Sequence, residues 1–192
     1  GLKGVTVYRA NCRTGVLVEK KTIIPKTNAP TRPKEIECDV HHLTVKGKRY
    51  FVLVGLFGDE KEPYEIFAGR GNLIDGKVNK GKIVKVKNSF YKAVLEDETE
   101  LSPITLGCND NEEAITRLVS LGLRHGSSLK FITEQLGKID GDLTTFTRAV
   151  ARILKKYIIN GTKSSEKCKC GANLIYQNGC SQCISCGESK CS

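Results

Sequence analysis

Between positions 35 and 97, short apolar runs and stretches of alternating apolar and polar residues follow one another, a pattern typical of β-strands. The runs ECDVHHLTV at 37–45 and RYFVLVGLF at 49–57 are separated by a short loop containing glycine, which predicts a hairpin. Two further alternating runs follow at 63–69 and 80–97, and the second sets its apolar residues among lysines. We therefore expect an antiparallel sheet with one side in water.

From position 109 the apolar residues recur with a helical period. The predicted apolar stripe of the first helix consists of Ala114, Ile115, Leu118, Val119 and Gly122. Asp110 and Glu113 are expected to form its capping box, and Gly126 to end it. The segments at 127–137 and 142–158 carry the same kind of period. A sheet followed by three helices predicts an α+β fold.

The positive charge is concentrated near the beginning of the chain. The net charge is +10, and residues 1–34 hold eight lysines and arginines against one acid. Residues 20–34 also carry three of the five prolines, which predicts an extended basic linker. A nucleic-acid-binding domain more often has a basic stripe on a folded face, with aromatic residues among the bases. The charge distribution therefore argues against nucleic acid as the partner.

Targeting features are missing from the sequence. No apolar run approaches the ~18 residues needed to cross a bilayer, which argues against a membrane partner. The first residues contain no signal-peptide core, so we expect a cytoplasmic protein. The chain has no methionine, even at position 1, which leads us to expect a segment of a longer protein.

Six of the nine cysteines crowd into the last 25 residues. They are Cys168, Cys170, Cys180, Cys183, Cys186 and Cys191. A secreted disulfide scaffold would distribute its cysteines through the domain that they stabilise. In a chain without a secretion signal, such a cluster indicates metal binding, redox chemistry or both.

The spacing within this tail predicts a small zinc ribbon. A zinc ribbon uses two tight turns that each present two thiolates to one tetrahedral ion. Cys183 and Cys186, followed by glycine, match the C-x-x-C-G turn fully. Cys168 and Cys170, also followed by glycine, are one residue closer together than that pattern. We take these four as the metal ligands and expect zinc binding and local folding to be linked.

Two tail cysteines, Cys180 and Cys191, then remain, and their role is open at this point. Cys180 could replace a ligand of the irregular first turn, which would leave Cys191 incidental. Alternatively the two form a dithiol that carries electrons on a mobile end. A thiol on a flexible terminus can exchange with a distant disulfide when some thiolate is present, and Lys190 beside Cys191 favours the thiolate.

Four segments together resemble the C-terminal region of ribonucleotide reductases, particularly the adenosylcobalamin-dependent class II enzymes with a cysteine-rich extension. They are GLKGVTVYR at 1–9, RPKEIECDVHHLTVKG at 32–47, RLVSLGLRHG at 117–126 and GC-x-x-C-x-x-CG-x-SKC at 179–191. The middle of the chain is similar to the module called the TSCPD domain. The resemblance covers nearly the whole sequence.

The resemblance implies a domain organisation. Its four parts are the last strand of a catalytic barrel at 1–15, a basic linker at 16–34, a TSCPD-like α+β domain at 35–160 and a zinc-binding redox tail at 161–192. The family reduces ribonucleotides to deoxyribonucleotides for DNA synthesis by radical chemistry, which adenosylcobalamin starts in class II. Whether the substrate is a diphosphate, as we expect, or a triphosphate is open.

The resemblance also implies roles for the tail. Each turnover leaves a disulfide in the barrel, and C-terminal cysteines reduce it. Carried onto this sequence, Cys180 and Cys191 are the redox shuttle, and the implied partners are the barrel, a dithiol reductant and a second copy of the chain. The barrel's radical cysteine and redox pair have no counterpart here, so the isolated segment is expected to be inactive. Cys168 departs from the family's C-x-x-C spacing.

The other cysteines and the histidines receive no catalytic assignment. Cys38 and Cys108 are expected to be small packed residues, and Cys12 matches no family position of known role. His41 and His42 are adjacent in a predicted strand, so they should point to opposite faces as a structural pair. Two rival interpretations are a free-standing zinc ribbon that binds nucleic acid and an oligomerisation module in which zinc only stabilises the fold.

Overall fold

The computed structural model describes residues 1, 3–4, 29–139 and 145–190, and its largest element is a six-stranded antiparallel sheet. The strands are β1 (Glu35–Val45), β2 (Lys48–Phe57), β3 (Glu62–Arg70), β4 (Lys80–Lys87), β5 (Phe90–Leu95) and β6 (Glu100–Leu101). Their order across the sheet is β3-β2-β1-β4-β5-β6. The predicted first hairpin is confirmed, with Val45 paired to Lys48 across its turn. The run at 80–97 forms two paired strands, β4 and β5.

Strand β2 lies at the centre of the core and is buried on both faces. Every residue from Tyr50 to Val54 is at most 3% exposed. Val52 and Val54 pack under the helices, whereas Phe51 and Leu53 pack with Ile83 and Ile104 on the opposite face. The expectation that one whole side of the sheet is in water is therefore wrong for β2, because the connecting segments around Val78 and Ile104 cover the second face.

Three helices follow the sheet, as expected: α1 (Asp110–Arg124), α2 (Leu129–Gly137) and α3 (Phe146–Lys155). The capping box of α1 lies one residue earlier than predicted. Asn109 accepts a hydrogen bond from the backbone N–H of Glu112 at 2.9 Å, and the Glu112 carboxylate accepts one from the backbone N–H of Asn109 at 3.0 Å. The same carboxylate accepts a 2.6 Å hydrogen bond from Tyr50, so a tertiary contact helps to fix this cap.

The buried side of α1 also differs from the predicted stripe. Leu118 is 68% exposed, whereas Thr116, Val119, Ser120 and Leu123 are buried. The stripe is displaced because α1 packs along the edge strand β3 and contacts it with polar side chains such as Ser120. Gly126, with φ of +75°, ends the helix as predicted.

Helix α3 supplies the apolar centre of the helical layer. Phe146, Val150 and Leu154 are buried against β2 and α1, in agreement with the sequence period. Residues 140–144, which include the predicted start of this helix, lie outside the described residues. No helix in the described part of the chain is both long and apolar enough to cross a membrane.

Candidate metal centre

The C-terminal tail forms a second, four-stranded antiparallel sheet, which we call the ribbon. Its strands are β7 (Lys163–Lys167), β8 (Asn173–Gln177), β9 (Cys180–Cys183) and β10 (Ser189–Lys190), in the order β10-β9-β8-β7. The ribbon is tied to the helices by hydrogen bonds. The Glu134 carboxylate of α2 accepts one from the backbone N–H of Ser165 in β7 at 3.0 Å. The segment that leads into β7 is also held, because the backbone N–H of Tyr176 donates to the carbonyl of Thr162 at 2.8 Å.

The irregular first turn still closes around its two cysteines. Gly171 adopts φ of +86°, a left-handed conformation that glycine tolerates without strain. Its N–H donates to the carbonyl of Cys168 at 2.9 Å, and the N–H of Cys168 donates to the carbonyl of Ala172 at 2.9 Å. The missing residue is therefore accommodated by a tighter turn that keeps Cys168 and Cys170 on one side.

The second turn, Cys183 to Gly187, has the geometry of a thiolate-binding loop. The backbone N–H groups of Ser185 and Cys186 point at the Cys183 sulfur, at 3.4 and 3.5 Å. These hydrogen bonds stabilise the thiolate, with that from Cys186 the stronger, and lower the pKa of Cys183 to about 6. Gly187, at φ of +74°, donates its N–H to the carbonyl of Cys183 at 3.1 Å.

The two turns bring four sulfur atoms together. The Sγ atoms of Cys168, Cys170, Cys183 and Cys186 all lie within 4.8 Å of one another. Two of the separations, Cys168 to Cys186 and Cys170 to Cys183, are 3.5 Å. A tetrahedral zinc ion with Zn–S bonds of ~2.3 Å would place its sulfurs about 3.8 Å apart. The cluster therefore has the composition and dimensions of a four-thiolate zinc site.

The local core shows why a metal would matter here. Cys168 and Cys183 are buried and pack with Leu174 and Ala172, whereas Cys170 and Cys186 are exposed. Such a small apolar cluster cannot stabilise a four-stranded sheet unaided. Four protein ligands fill a tetrahedral ion, so the site suits a structural role rather than a catalytic one.

Cys180 lies outside this four-cysteine cluster. It is disulfide-bonded, whereas the six other described cysteines are free. Side chains alternate along β9, so Ser181 and Cys183 share the buried face, and Cys180 belongs to the opposite, outer face. The geometry thus provides four metal ligands without Cys180. Cys191 and Cys12 lie outside the described residues.

The remaining cysteines are packed thiols. Cys38 is 1% exposed in the sheet core, and the half-buried Cys108 donates its S–H to the carbonyl of Ala68 at 3.3 Å. Burial raises the pKa of both thiols to about 12, so neither forms a thiolate readily near neutral pH.

The structure adds polar partners that the sequence pattern did not reveal. The Glu188 carboxylate lies 3.2 Å from the Cys168 sulfur, at the edge of the candidate site. Far from the ribbon, His41 and Asp39 both contact the Tyr157 hydroxyl at 2.7 Å. His42 instead contacts the carbonyl of Val78, so the histidines do point to opposite faces. Asp39 and Tyr157 are 118 residues apart, and no local pattern signals such a contact.

Comparison with known proteins identifies the α+β domain. The family model described as NrdJ homologue C-terminal domain matches residues 36–159, well over half of the chain, and the matched range ends before the cysteine-rich tail. No curated protein and no solved structure matches. The resemblance inferred from the sequence is thereby confirmed at family level. The chain belongs to the NrdJ-homologue C-terminal domain family and is a C-terminal region related to class II ribonucleotide reductase.

Proposed function

We propose that this chain is the electron-delivering C-terminal part of a ribonucleoside-diphosphate reductase. The observation that carries the proposal is the family match over residues 36–159, followed directly by a tail that has cysteines in excess of one metal site. In this proposal, zinc bound by Cys168, Cys170, Cys183 and Cys186 holds the ribbon together. Cys180 and Cys191 are the redox-active pair.

The strand register supports this pairing. Strands β9 and β10 are antiparallel, with Ser189 opposite Gln182 and Lys190 opposite Ser181. If the same register held for one more residue, position 191 would lie opposite Cys180. Directly opposed residues of antiparallel strands are close enough for a disulfide. Cys180 is disulfide-bonded and the six other described cysteines are free, so none of those six is its partner.

The chemistry of the proposed shuttle is thiol–disulfide exchange. A thiolate of the reduced pair attacks the disulfide that a turnover leaves in the catalytic barrel, and a mixed disulfide forms. The second thiol of the pair then displaces the barrel sulfur, so that two electrons and two protons pass to the barrel cysteines and the Cys180–Cys191 disulfide forms. An external dithiol reduces this disulfide and is itself oxidised to a disulfide.

The metal site and the redox pair are separate in this arrangement. Cys180 lies on the outer face of β9, whereas Cys183 of the same strand is buried with the metal ligands. A metal-bound ribbon can therefore present the pair to a partner without giving up a ligand. The barrel, the dithiol reductant, a second copy of the chain and adenosylcobalamin in the whole enzyme remain predictions that follow from the family.

The test uses the full enzyme that contains this chain. Cys180→Ser and Cys191→Ser should each abolish turnover with a physiological dithiol, while the zinc content stays near one per chain. Cys108→Ser is the matched control, because a serine hydroxyl can also donate to the carbonyl of Ala68. Turnover that persists in the two tail variants would overturn the shuttle.

A second measurement tests the pairing in this chain alone. In the oxidised protein, alkylation of Cys191 should require prior reduction by a dithiol. In Cys180→Ser, the Cys191 thiol should react without any reductant. Equal reactivity in the unreduced wild type and the variant would show that the two cysteines do not pair.

A further inference from the structure

The carboxylate of Glu188 reaches the candidate metal site from the second cysteine turn. The backbone N–H of Cys183 donates to the carbonyl of Glu188 at 2.8 Å, and this hydrogen bond holds the backbone of Glu188 against that turn. Its side chain crosses to the first turn, where Oε2 lies 3.2 Å from the sulfur of Cys168. One acidic side chain therefore connects the two turns that present the four sulfurs.

The distance between this oxygen and the Cys168 sulfur is close to that between two ligands of one metal ion. Zinc binds carboxylate oxygen at ~2.1 Å and thiolate sulfur at ~2.3 Å, so on a tetrahedral ion the two atoms would be about 3.6 Å apart. The observed 3.2 Å is slightly shorter, as are the two sulfur separations of 3.5 Å when compared with about 3.8 Å. Glu188 is thus close enough to exchange with Cys168 at one ligand position.

The contact between Glu188 and Cys168 changes character when the sulfur binds metal. A cysteine thiol donates a hydrogen bond to the carboxylate, whereas a metal-bound sulfur has no proton to donate. Two negatively charged donors then adjoin, and like charges at such a distance repel each other. Because zinc accepts sulfur and oxygen ligands alike, this repulsion favours exchange at the position of Cys168.

Cys168 is also the ligand whose turn departs from the regular spacing. Cys183 lies in the regular turn, where the backbone N–H groups of Ser185 and Cys186 point at its sulfur at 3.4 and 3.5 Å. Hydrogen bonds of this kind stabilise a metal-bound sulfur. The Cys168 sulfur has a carboxylate as its neighbour. The first turn is therefore the place where one of the four sulfurs is most readily replaced.

We propose that Glu188 is a reserve ligand of the metal site, by which we mean that its carboxylate can take the place of the Cys168 sulfur. The inference rests on the four-cysteine site of the proposed function and is independent of the redox pair. In the exchange, the bond between the metal and the Cys168 sulfur breaks, and a bond between the metal and a Glu188 oxygen forms. Each donor carries one negative charge, so the charge of the ligand set is unchanged and Cys168 leaves as a thiolate. Three sulfurs and one oxygen then hold the ribbon together.

The first test is a double-mutant cycle of zinc affinity in the whole chain, measured by competition with a chromophoric chelator. With Cys168 present, Glu188→Gln should weaken binding by about twofold or less, because four sulfurs still hold the metal. In the Cys168→Ala background, the same change should weaken it by about tenfold or more, because it removes the replacing ligand.

The matched control is Cys183→Ala, which removes the other buried sulfur of the cluster. In that background Glu188→Gln should again change the affinity by about twofold or less, because the carboxylate contacts the sulfur of Cys168 and is not placed to replace Cys183. A similar loss in both backgrounds would show that Glu188 acts on the whole site and would overturn the proposal.

The cobalt(II) spectrum identifies the replacing atom. In Cys168→Ala, the thiolate-to-metal charge-transfer absorption should fall by the share of one sulfur, while the d–d bands keep the intensity of a tetrahedral site. Charge-transfer absorption of full wild-type strength would mean that another cysteine, such as Cys180, has replaced Cys168. That result would overturn the assignment of Glu188.

A kinetic measurement uses variants that retain all four sulfurs. Transfer of zinc from the chain to a chelator should slow by about threefold or more in Glu188→Gln, because the exchange at Cys168 is lost. Glu166→Gln should leave the rate unchanged, since this exposed carboxylate of β7 lines the cleft beside the helices instead. An unchanged rate in Glu188→Gln would overturn the reserve ligand alone, whereas a wild-type chain that binds no metal would overturn the four-cysteine site as well. Neither readout depends on turnover.

Discussion

Ser120 on α1 completes the hydrogen bonding of a residue on the edge strand β3, Ile66. The Ser120 hydroxyl accepts from the backbone N–H of Ile66 at 2.9 Å and donates to its carbonyl at 3.0 Å. A side chain thus takes the place of the neighbouring strand that an edge residue lacks. Both residues are buried, so neither backbone group of Ile66 can form a hydrogen bond with water instead.

Replacing this hydroxyl should destabilise the domain. In Ser120→Ala, two buried backbone groups lose their partner, which should reduce the free energy of unfolding by about 1–3 kcal/mol. Chemical denaturation of the zinc-loaded protein measures the change. Ser127→Ala, at an exposed position just beyond the same helix, should have little effect. Equal stabilities of the two variants would contradict this role of Ser120.

Glu65 should be among the residues least tolerant of substitution. Its carboxylate is fully buried and pairs with Arg32 at 2.6 Å and with Arg124 of α1. Glu65→Gln leaves two guanidinium groups without a counter-charge, which should cost about 3–5 kcal/mol of unfolding free energy.

The matched control for Glu65 is Glu37→Gln. The Glu37–Lys61 pair has side chains that are each 65% exposed, so its loss should cost less than about 1 kcal/mol. Denaturation curves of both variants decide the question. A similar small loss in both would show that the buried ion pairs of Glu65 are not important for stability.

His41 should make stability depend on pH between about 6.5 and 4. Burial lowers its pKa from 6.5 to about 4, and Lys156 adds to the effect, while Asp39 opposes it. The unfolded chain therefore takes up a proton before the folded protein does. The contribution of neutral His41 is fully present above pH 6.5 and is lost as the pH falls towards 4.

The variant His41→Gln isolates this effect. Desolvation acts to raise the pKa of Asp39, but hydrogen bonds from Lys80 and Tyr157 outweigh it and lower that pKa from 3.8, away from this range. Both proteins contain the same metal site, so its pH dependence cancels when the unfolding free energy of the variant is subtracted from that of the wild type. That difference should shrink as the pH falls through this range, and a constant difference would be evidence against the prediction.

Metal removal should unfold the ribbon and leave the six-stranded sheet folded. Chelation should abolish the NMR amide signals expected for residues 163–190 while those of β1 and β2 persist, because the apolar core of the ribbon is small and the sheet core is not. Cobalt(II) substitution should give thiolate-to-metal charge-transfer absorption. Cys170→Ser should reduce that absorption and Cys180→Ser should not. Identical spectra for the two variants would contradict the ligand set.

Much of the fold follows from local pattern. Short apolar and alternating runs predicted the main strands of the sheet, and the change of period at position 109 predicted three helices, since these patterns reflect which side chains face a core. The capping box was displaced by one residue, because Glu112 is also bound by Tyr50, a residue 62 positions earlier. A local motif carries no information about such a contact.

The candidate metal site was also largely visible in the sequence. Glycines after Cys170 and Cys186 marked two turns, and the spacing assigned four ligands even though the first turn is short by one residue. The cleft between the helices and the ribbon could not be predicted from local pattern, since its lining residues on α3 and β10 come together only when the ribbon packs on the helices.

The elements and the metal-binding turns could therefore be inferred from local pattern, because both depend on residues within a few positions of one another. Which elements pack together could not. The tertiary structure buried β2 on both faces, paired Ser120 with the backbone of Ile66 and placed Cys180 on the outer face of the ribbon. Contacts of this kind depend on the packing of whole elements, and residues distant in sequence become neighbours only through that packing.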